Sequence, residues 1–303
     1  MPRLLRPVVV VVALGIVCGV SFVLRKQVVS LEGEEAASSR QRLVALAPSI
    51  VEVLYQLGLE DRLVGVSRYS SFPPEAVEKP VVGGYLDLDF EAILRLRADS
   101  VILLEEQAAI ADRLGKLGIH TLLVEHENTD GILRSIQEIG EVYGKPEAAE
   151  VVIESIRDRL QNALDEMPTL DPVPSVLVCL DRDLSVSSVD RVVAAGNHGV
   201  HQEYLAMLGL KNAYEGRVSY PVLSREKLVQ LDPDVIIDLV NREAWEKYGD
   251  EALISQWALY RELKAVREGR VYVFHEHKHM IPGPRFVDTI EALAELFREG
   301  ESP

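Results

Sequence analysis

The chain is 303 residues long, enough for two domains of ordinary size. Its 48 acidic residues against 32 basic ones leave a formal net charge of −16, which argues against a nucleic-acid binder, because that role needs a basic footprint to neutralise phosphates. The same balance suits a domain that stays clear of anionic lipid or docks on a basic partner, and two cysteines supply no disulfide framework.

Residues 8–24 form an unbroken apolar run, preceded by Arg3 and Arg6 and followed by Arg25 and Lys26. The run is long for a signal core, no A-x-A cleavage site follows it, and the residues before Cys18 do not make a lipobox. The first reading is an uncleaved membrane anchor; a cleaved signal and a buried core segment are the alternatives. In the first two cases the bulk of the chain lies outside the cytoplasmic membrane, and residues 32–41, small and polar, read as a tether.

From Arg42 onward strand and helix patterns alternate. Strands are expected at 42–48, 62–67, 100–105 and 120–125. Helices are expected at 49–58, 107–118 and 129–144, the last capped by Thr129 or Asp130. A helix over 146–167, opened by Pro146 at a first helical position, extends about 33 Å without a Gly or Pro interruption. Beyond it come strands at 174–180, 234–240 and 270–274, and helices at 199–210, 224–231, 250–263 and 284–300.

Within this order the chain repeats itself. Residues 85–104, YLDLDFEAILRLRADSVILL, return at 220–239 as YPVLSREKLVQLDPDVIIDL, pairing Tyr85 with Tyr220, Glu91 with Glu226 and Asp99 with Asp234. Each copy reads as a tyrosine, an N-cap (Asp89 or Ser224), a glutamate in the first helical turn, a short amphipathic helix and a buried strand. The expected fold class is therefore α/β: two similar lobes with mostly parallel sheets, joined by a long rigid helix, with a ligand cleft between them. The boundaries are 1–41 for anchor or signal and tether, 42–145 for the first lobe, 146–168 for the connecting helix and 169–303 for the second lobe.

The segments LVALAPSIVEVLYQLGL, VGVSRYSSFPPEA, VGGYLDLDFEAILRLRADSVILL and YPVLSREKLVQLDPDVII, in that order and with the long connector, resemble the periplasmic solute-binding proteins of the cobalamin and iron-chelate type. The resemblance covers about 42–299. It implies a monomeric extracytoplasmic receptor that hands a metal chelate (ferric siderophore, haem or cobalamin) to an ABC permease, with no cofactor of its own. It also implies that Glu91 and Glu226 engage permease arginines, beside the plainer reading that both are acidic helix starts. Aromatics in the cleft loops stack on the ligand in that family, which points to Tyr69, Tyr85 and Tyr220; covering a lobe edge is the alternative role for loop tyrosines. Where the cobalamin members place tryptophans, this chain has Tyr85 and Tyr220.

After the expected strand at 270–274 the chain reads HEHKHM. In extended chain His275, His277 and His279 point one way, an arrangement able to hold a metal or cap a metal chelate. A solvated strand end is the competing account. Arg285 is placed to meet an acidic ligand group, whereas His198 and His201 read as cap-region residues. No dinucleotide, Walker, nucleophile-elbow or H-E-x-x-H motif is present, so the expectation is a binder without catalysis. The alternatives are a bare Zn or Mn receptor and a metal-dependent hydrolase using the histidine run with Asp181 or Asp183.

Overall fold

The computed structural model describes residues 41–85, 87–184, 189 and 191–299. The anchor or signal at 8–24, Cys18 and all but the last residue of the tether lie outside the described residues. No described helix is long and apolar enough to cross a membrane.

In the first lobe, strands β1 (Leu43–Ala45), β2 (Leu63–Val66), β3 (Ser100–Leu104) and β4 (His120–Val124) pair in the order β2-β1-β3-β4, all parallel. The central strands β1 and β3 are almost wholly apolar because both faces of the sheet are covered there, whereas the edge strand β4 exposes His120 and Thr121. Leu43, Ala45 and Ile102 enter one core, while the intervening Val44, Val101 and Leu103 enter another. The second lobe contains β5 (Ser175–Arg182), β6 (Arg191–Ala194), β7 (Lys211–Asn212), β8 (Val222–Ser224), β9 (Val235–Leu239) and β10 (Val271–Phe274). Here the order is β10-β9-β5-β6-β8, with β7 on the lower end of β5. Strands β5, β9 and β10 are parallel, but β6 runs antiparallel to β5 and to β8. That antiparallel extension was absent from the sequence reading.

Alternation in the second sheet again divides two cores. Val176, Val178, Val235, Ile237 and Leu239 face inward, while Leu177, Cys179 and Ile236 face outward. The inward residues of both lobes belong to one continuous apolar cluster, joined by Ile153, Ile156 and Ala163 of the helix Pro146–Asp165 and by Phe286, Val287 and Ile290 of the helix Phe286–Glu299. The connector is 20 residues, about 30 Å. Arg159 on the connector donates to Asp288 at 2.7 Å and to Glu291 at 2.9 Å, fastening it to the last helix.

The internal repeat holds in atomic detail. The strands Ser100–Leu104 and Val235–Leu239 occupy identical positions of the two copies. Asp89 Oδ1 accepts from the amide of Ala92 at 2.8 Å, and Ser224 Oγ accepts from that of Lys227 at 3.4 Å. Asp99 and Asp234 each accept the amide that opens their lobe's first strand, from Arg42 at 2.8 Å and Ser175 at 2.7 Å. Even the backbone exceptions match: Arg97 (φ 49°) and Asp232 (φ 39°), equivalent residues of the repeat, both adopt the left-handed conformation after their helix.

Other expectations shift at their edges. Asn128, in extended conformation, caps the helix Thr129–Val142 by accepting from Gly131, so neither Thr129 nor Asp130 is the cap. The helix expected at 250–263 is instead Arg242–Trp257, opened by the Asn241 cap and interrupted at Gly249. Residues His277–His279 form a 3-10 turn rather than extended chain.

The left-handed residues give a stability test. Arg97→Gly should stabilise the protein by about 1 kcal/mol in urea unfolding, because glycine carries no penalty at positive φ. Asp232→Gly should show no such gain, since it also removes the carboxylate that accepts the Lys264 amide at 2.6 Å.

Candidate ligand cleft

Loops at the carboxyl ends of the parallel strands bring the two lobes together along a seam. At one end, the loop after β2 carries Tyr69, Ser71 and Phe72, and the loop after β10 carries His275 to Arg285. Ser71 Oγ lies 3.3 Å from His277 Nε2, a hydrogen bond between lobes. At the other end Tyr85 of the first lobe and Tyr220 of the second are near enough for their phenols to interact electrostatically. Thr129 of the first lobe donates its amide, at 2.8 Å, and its hydroxyl, at 2.9 Å, to Glu203 of the second.

The three tyrosines have distinct surroundings. Tyr69 and Tyr220 are 53% and 62% exposed, open to a stacking partner. Tyr85 is half-buried; its hydroxyl donates to Glu106 Oε1 at 3.2 Å and its carbonyl accepts from Gln107. Burial, reinforced by the carboxylates of Glu106 and Glu127, pushes the Tyr85 phenol up to about 12. Tyr85 is therefore a neutral, hydrogen-bonding phenol at ordinary pH.

The histidines do not converge. His275 stacks face to face on Trp245, ring centroids 3.8 Å apart and planes within 6°. His277 reaches Ser71, and burial, then the nearby Arg285 charge, lowers its pKa. His279 is buried, with Nδ1 3.0 Å from Thr289 Oγ1 and its ring tilted against Phe274. The expectation of three imidazoles on one face as metal ligands is thus corrected, because the 3-10 turn sends each ring to a different neighbour. Among the described residues no group of three His, Cys, Asp or Glu side chains is arranged to hold a metal ion. The bare-ion receptor and the hydrolase with Asp181 or Asp183 thus find no three-residue metal group among the described residues.

Arg285 is also reassigned. Its guanidinium grips Glu52 of the first lobe through two bonds of 2.6 and 2.8 Å and lies 3.7 Å from the centre of the Phe72 ring. It is engaged by protein and is not an open ligand anchor. His201 donates from Nε2 to the carbonyl of His279, while His198 is exposed. Glu91 and Glu226 stand exposed in the first turns of equivalent helices. Glu226 accepts from Ser224 Oγ at 2.7 Å, a bond that lowers its pKa, and Glu91 lies 3.7 Å from Arg95.

Three participants escaped the sequence reading. Glu52 sits among Val51, Val53 and Leu54; a charge on the buried side of an amphipathic helix is a signal that periodicity can register. Trp245 falls in a segment that was not read as helix, where Asn241 as a cap was the missed cue. His126 had no signal. It is buried between Ser49 Oγ at 2.8 Å and Ser135 Oγ at 2.7 Å, with the Pro282 carbonyl of the other lobe beside it. Ser135 donates its own proton to the Ile132 carbonyl, so it accepts from His126, which places the ring proton on Nε2.

A pocket of about 510 Å³ opens at the opposite end of the second lobe, lined among others by Asp234, Lys264, Glu268 and Arg270. Its charges are paired, Lys264 with Asp234 at 2.7 Å and Arg270 with Glu268 at 3.6 Å. The seam, with aromatics contributed by both lobes, is the better ligand candidate.

Burial holds His126 down at about 4, below its ordinary 6.5. A group depressed in the folded state contributes stability that is complete above the unfolded value and lost as pH falls through the folded one. Glu52, raised chiefly by burial, acts in the opposite sense. Urea unfolding followed from pH 7 to pH 4 should therefore show a His126 contribution of about one proton taken up, which His126→Gln removes. An unchanged slope in that variant would contradict the assignment.

Residues 43–277 match the profile of a family described as periplasmic binding protein. An uncharacterised ABC transporter substrate-binding lipoprotein, YvrC of Bacillus subtilis strain 168, is 29% identical over 264 residues, covering 84% of this chain and 79% of the relative. Among solved structures, a periplasmic haem-binding protein from Roseiflexus sp. RS-1 superposes with a TM-score of 0.72 at 24% identity, covering 86% of this chain and 98% of that one. The periplasmic vitamin B12 binding protein of Vibrio cholerae gives 0.71 at 23% identity, covering 87% and 98%. At such identities these structures establish the fold.

Proposed function

Because the chain belongs to the periplasmic binding protein family, we propose that it is the extracytoplasmic substrate-binding component of an ABC importer. It captures a metal chelate (ferric siderophore, haem or cobalamin) between its lobes and delivers it to a membrane permease. The observation that carries this reading is the pairing of Tyr85 and Tyr220 across the seam by an internal repeat that also places Glu91 and Glu226 at equivalent helix starts. Aromatics contributed by both lobes suit a flat, partly apolar ligand. Two exposed carboxylates suit arginine forks on a permease. The names of the lipoprotein relative and of the haem- and B12-binding structural neighbours agree with it.

In this reading Tyr69, Tyr85, Tyr220, His275 and His277 touch ligand, and Trp245 backs His275. His279 and Arg285 support the loop from behind. The protein works as a monomer without turnover, and residues 8–24 hold it at the membrane or serve as its export signal.

Two measurements test the proposal. Titration of the full chain in detergent with haemin, cyanocobalamin and a ferric siderophore should give one-to-one, sub-micromolar binding of one of them, typical of preformed receptors. Failure of all three would refute the chelate reading. Glu91→Ala with Glu226→Ala should abolish uptake in cells while leaving solution affinity unchanged; normal uptake would refute the docking role.

A further inference from the structure

Building on the receptor reading above, we infer that Glu52 is a positioning residue for the cleft: by gripping Arg285 across the seam, it sets where the second lobe's 275–285 loop, and His277 with it, stands against the first lobe. Glu52 lies in the middle of the helix Pro48–Gln56, with only 3% of its side chain exposed. A carboxylate so placed is costly to bury unless a counter-charge reaches it. The partner comes from the other lobe, as a two-point fork that fixes direction as well as distance. Phe72 covers the same guanidinium, so first-lobe groups hold Arg285 on two sides.

The rest of the loop is held just as closely. A Cβ on Gly283 would sit 2.9 Å from Ser49 Cβ, closer than side chains tolerate, so the two lobes meet here nearly backbone to backbone. The Pro282 carbonyl lies beside His126. Residues 282, 283 and 285 thus all rest on the first lobe. His277, at the cleft end of the same loop, meets Ser71 only through a long 3.3 Å bond. A bond that long has little hold of its own; the position of His277 follows from the better-fastened end of its loop. The fork therefore governs cleft geometry as well as stability.

The test uses the full chain in detergent, in a Cys18→Ser background. Spin labels go on cysteines at the exposed, opposite-lobe positions Val77 and Leu259; the buried Cys179 stays unlabelled. Glu52→Gln should broaden the distance distribution by several ångström and speed dissociation of the bound probe, haemin or cyanocobalamin, about ten-fold or more. Arg159→Gln, which loosens the connector clamp away from the cleft loop, should lower the melting temperature without either effect. If Glu52→Gln does not fold, Arg285→Lys keeps the charge but loses the fork, and it should broaden the distribution likewise. A folded Glu52→Gln, or in its place Arg285→Lys, with wild-type distances and dissociation would overturn the inference. A wild type that binds neither probe nor a ferric siderophore would count against the ligand reading alone, because the ligand-free distances still decide the role of Glu52.

Discussion

A carboxylate with 3% of its side chain exposed needs a counter-charge brought to it, and here that charge arrives from 233 residues away. Removing one partner of such a buried pair typically costs about 3–5 kcal/mol, because the other charge is left without compensation. The chain can satisfy Glu52 only once the second lobe has folded and laid its loop against the first. Around that contact the seam is built from groups that tolerate little displacement: Gly283 against Ser49, His126 between two serine hydroxyls, and Thr129 on Glu203. Together with the apolar cluster that runs through the connector, they join two α/β lobes into one body.

The repeat explains why the two lobes offer matched surfaces. Asp99 and Asp234 start their strands by the same hydrogen bond, and Arg97 and Asp232 make the same left-handed exit from a helix. The same order of N-cap, helix and strand leaves one exposed glutamate per lobe in the first helical turn. The lobes differ where the second adds β6 and β8, antiparallel strands that extend its sheet beyond β5. Beside β8, Tyr220 is left more open than its first-lobe counterpart Tyr85.

Much of this was legible before any coordinates. Short β-rich runs between helix patterns located the parallel strands other than β7, Pro146 marked the start of the connector, and the repeat paired Tyr85 with Tyr220 and Glu91 with Glu226. The misplaced site residues depended on partners beyond their own segment. The reading of His275, His277 and His279 as one face assumed extended backbone, yet each ring took a different neighbour: Trp245, Ser71 and Thr289. Arg285 looked like an open cation because Glu52 is far away along the chain. Asn128 and Asn241 were overlooked as caps although asparagine is among the best residues for that position; the adjacent Thr129 and Asp130 drew the cap one residue too late.

One apolar core shared by both lobes has a consequence for traffic at the membrane. A receptor that flexes widely can present one outline when empty and another when loaded, and its transporter can tell them apart. A receptor whose lobes share one apolar cluster through Ile153, Ile156 and Phe286 would have to bare that surface to water to adopt a second outline. Under the receptor reading proposed above, that cost keeps empty and loaded copies alike in outline, and the ratio of receptor to permease, together with ligand supply, then bears on the rate of import.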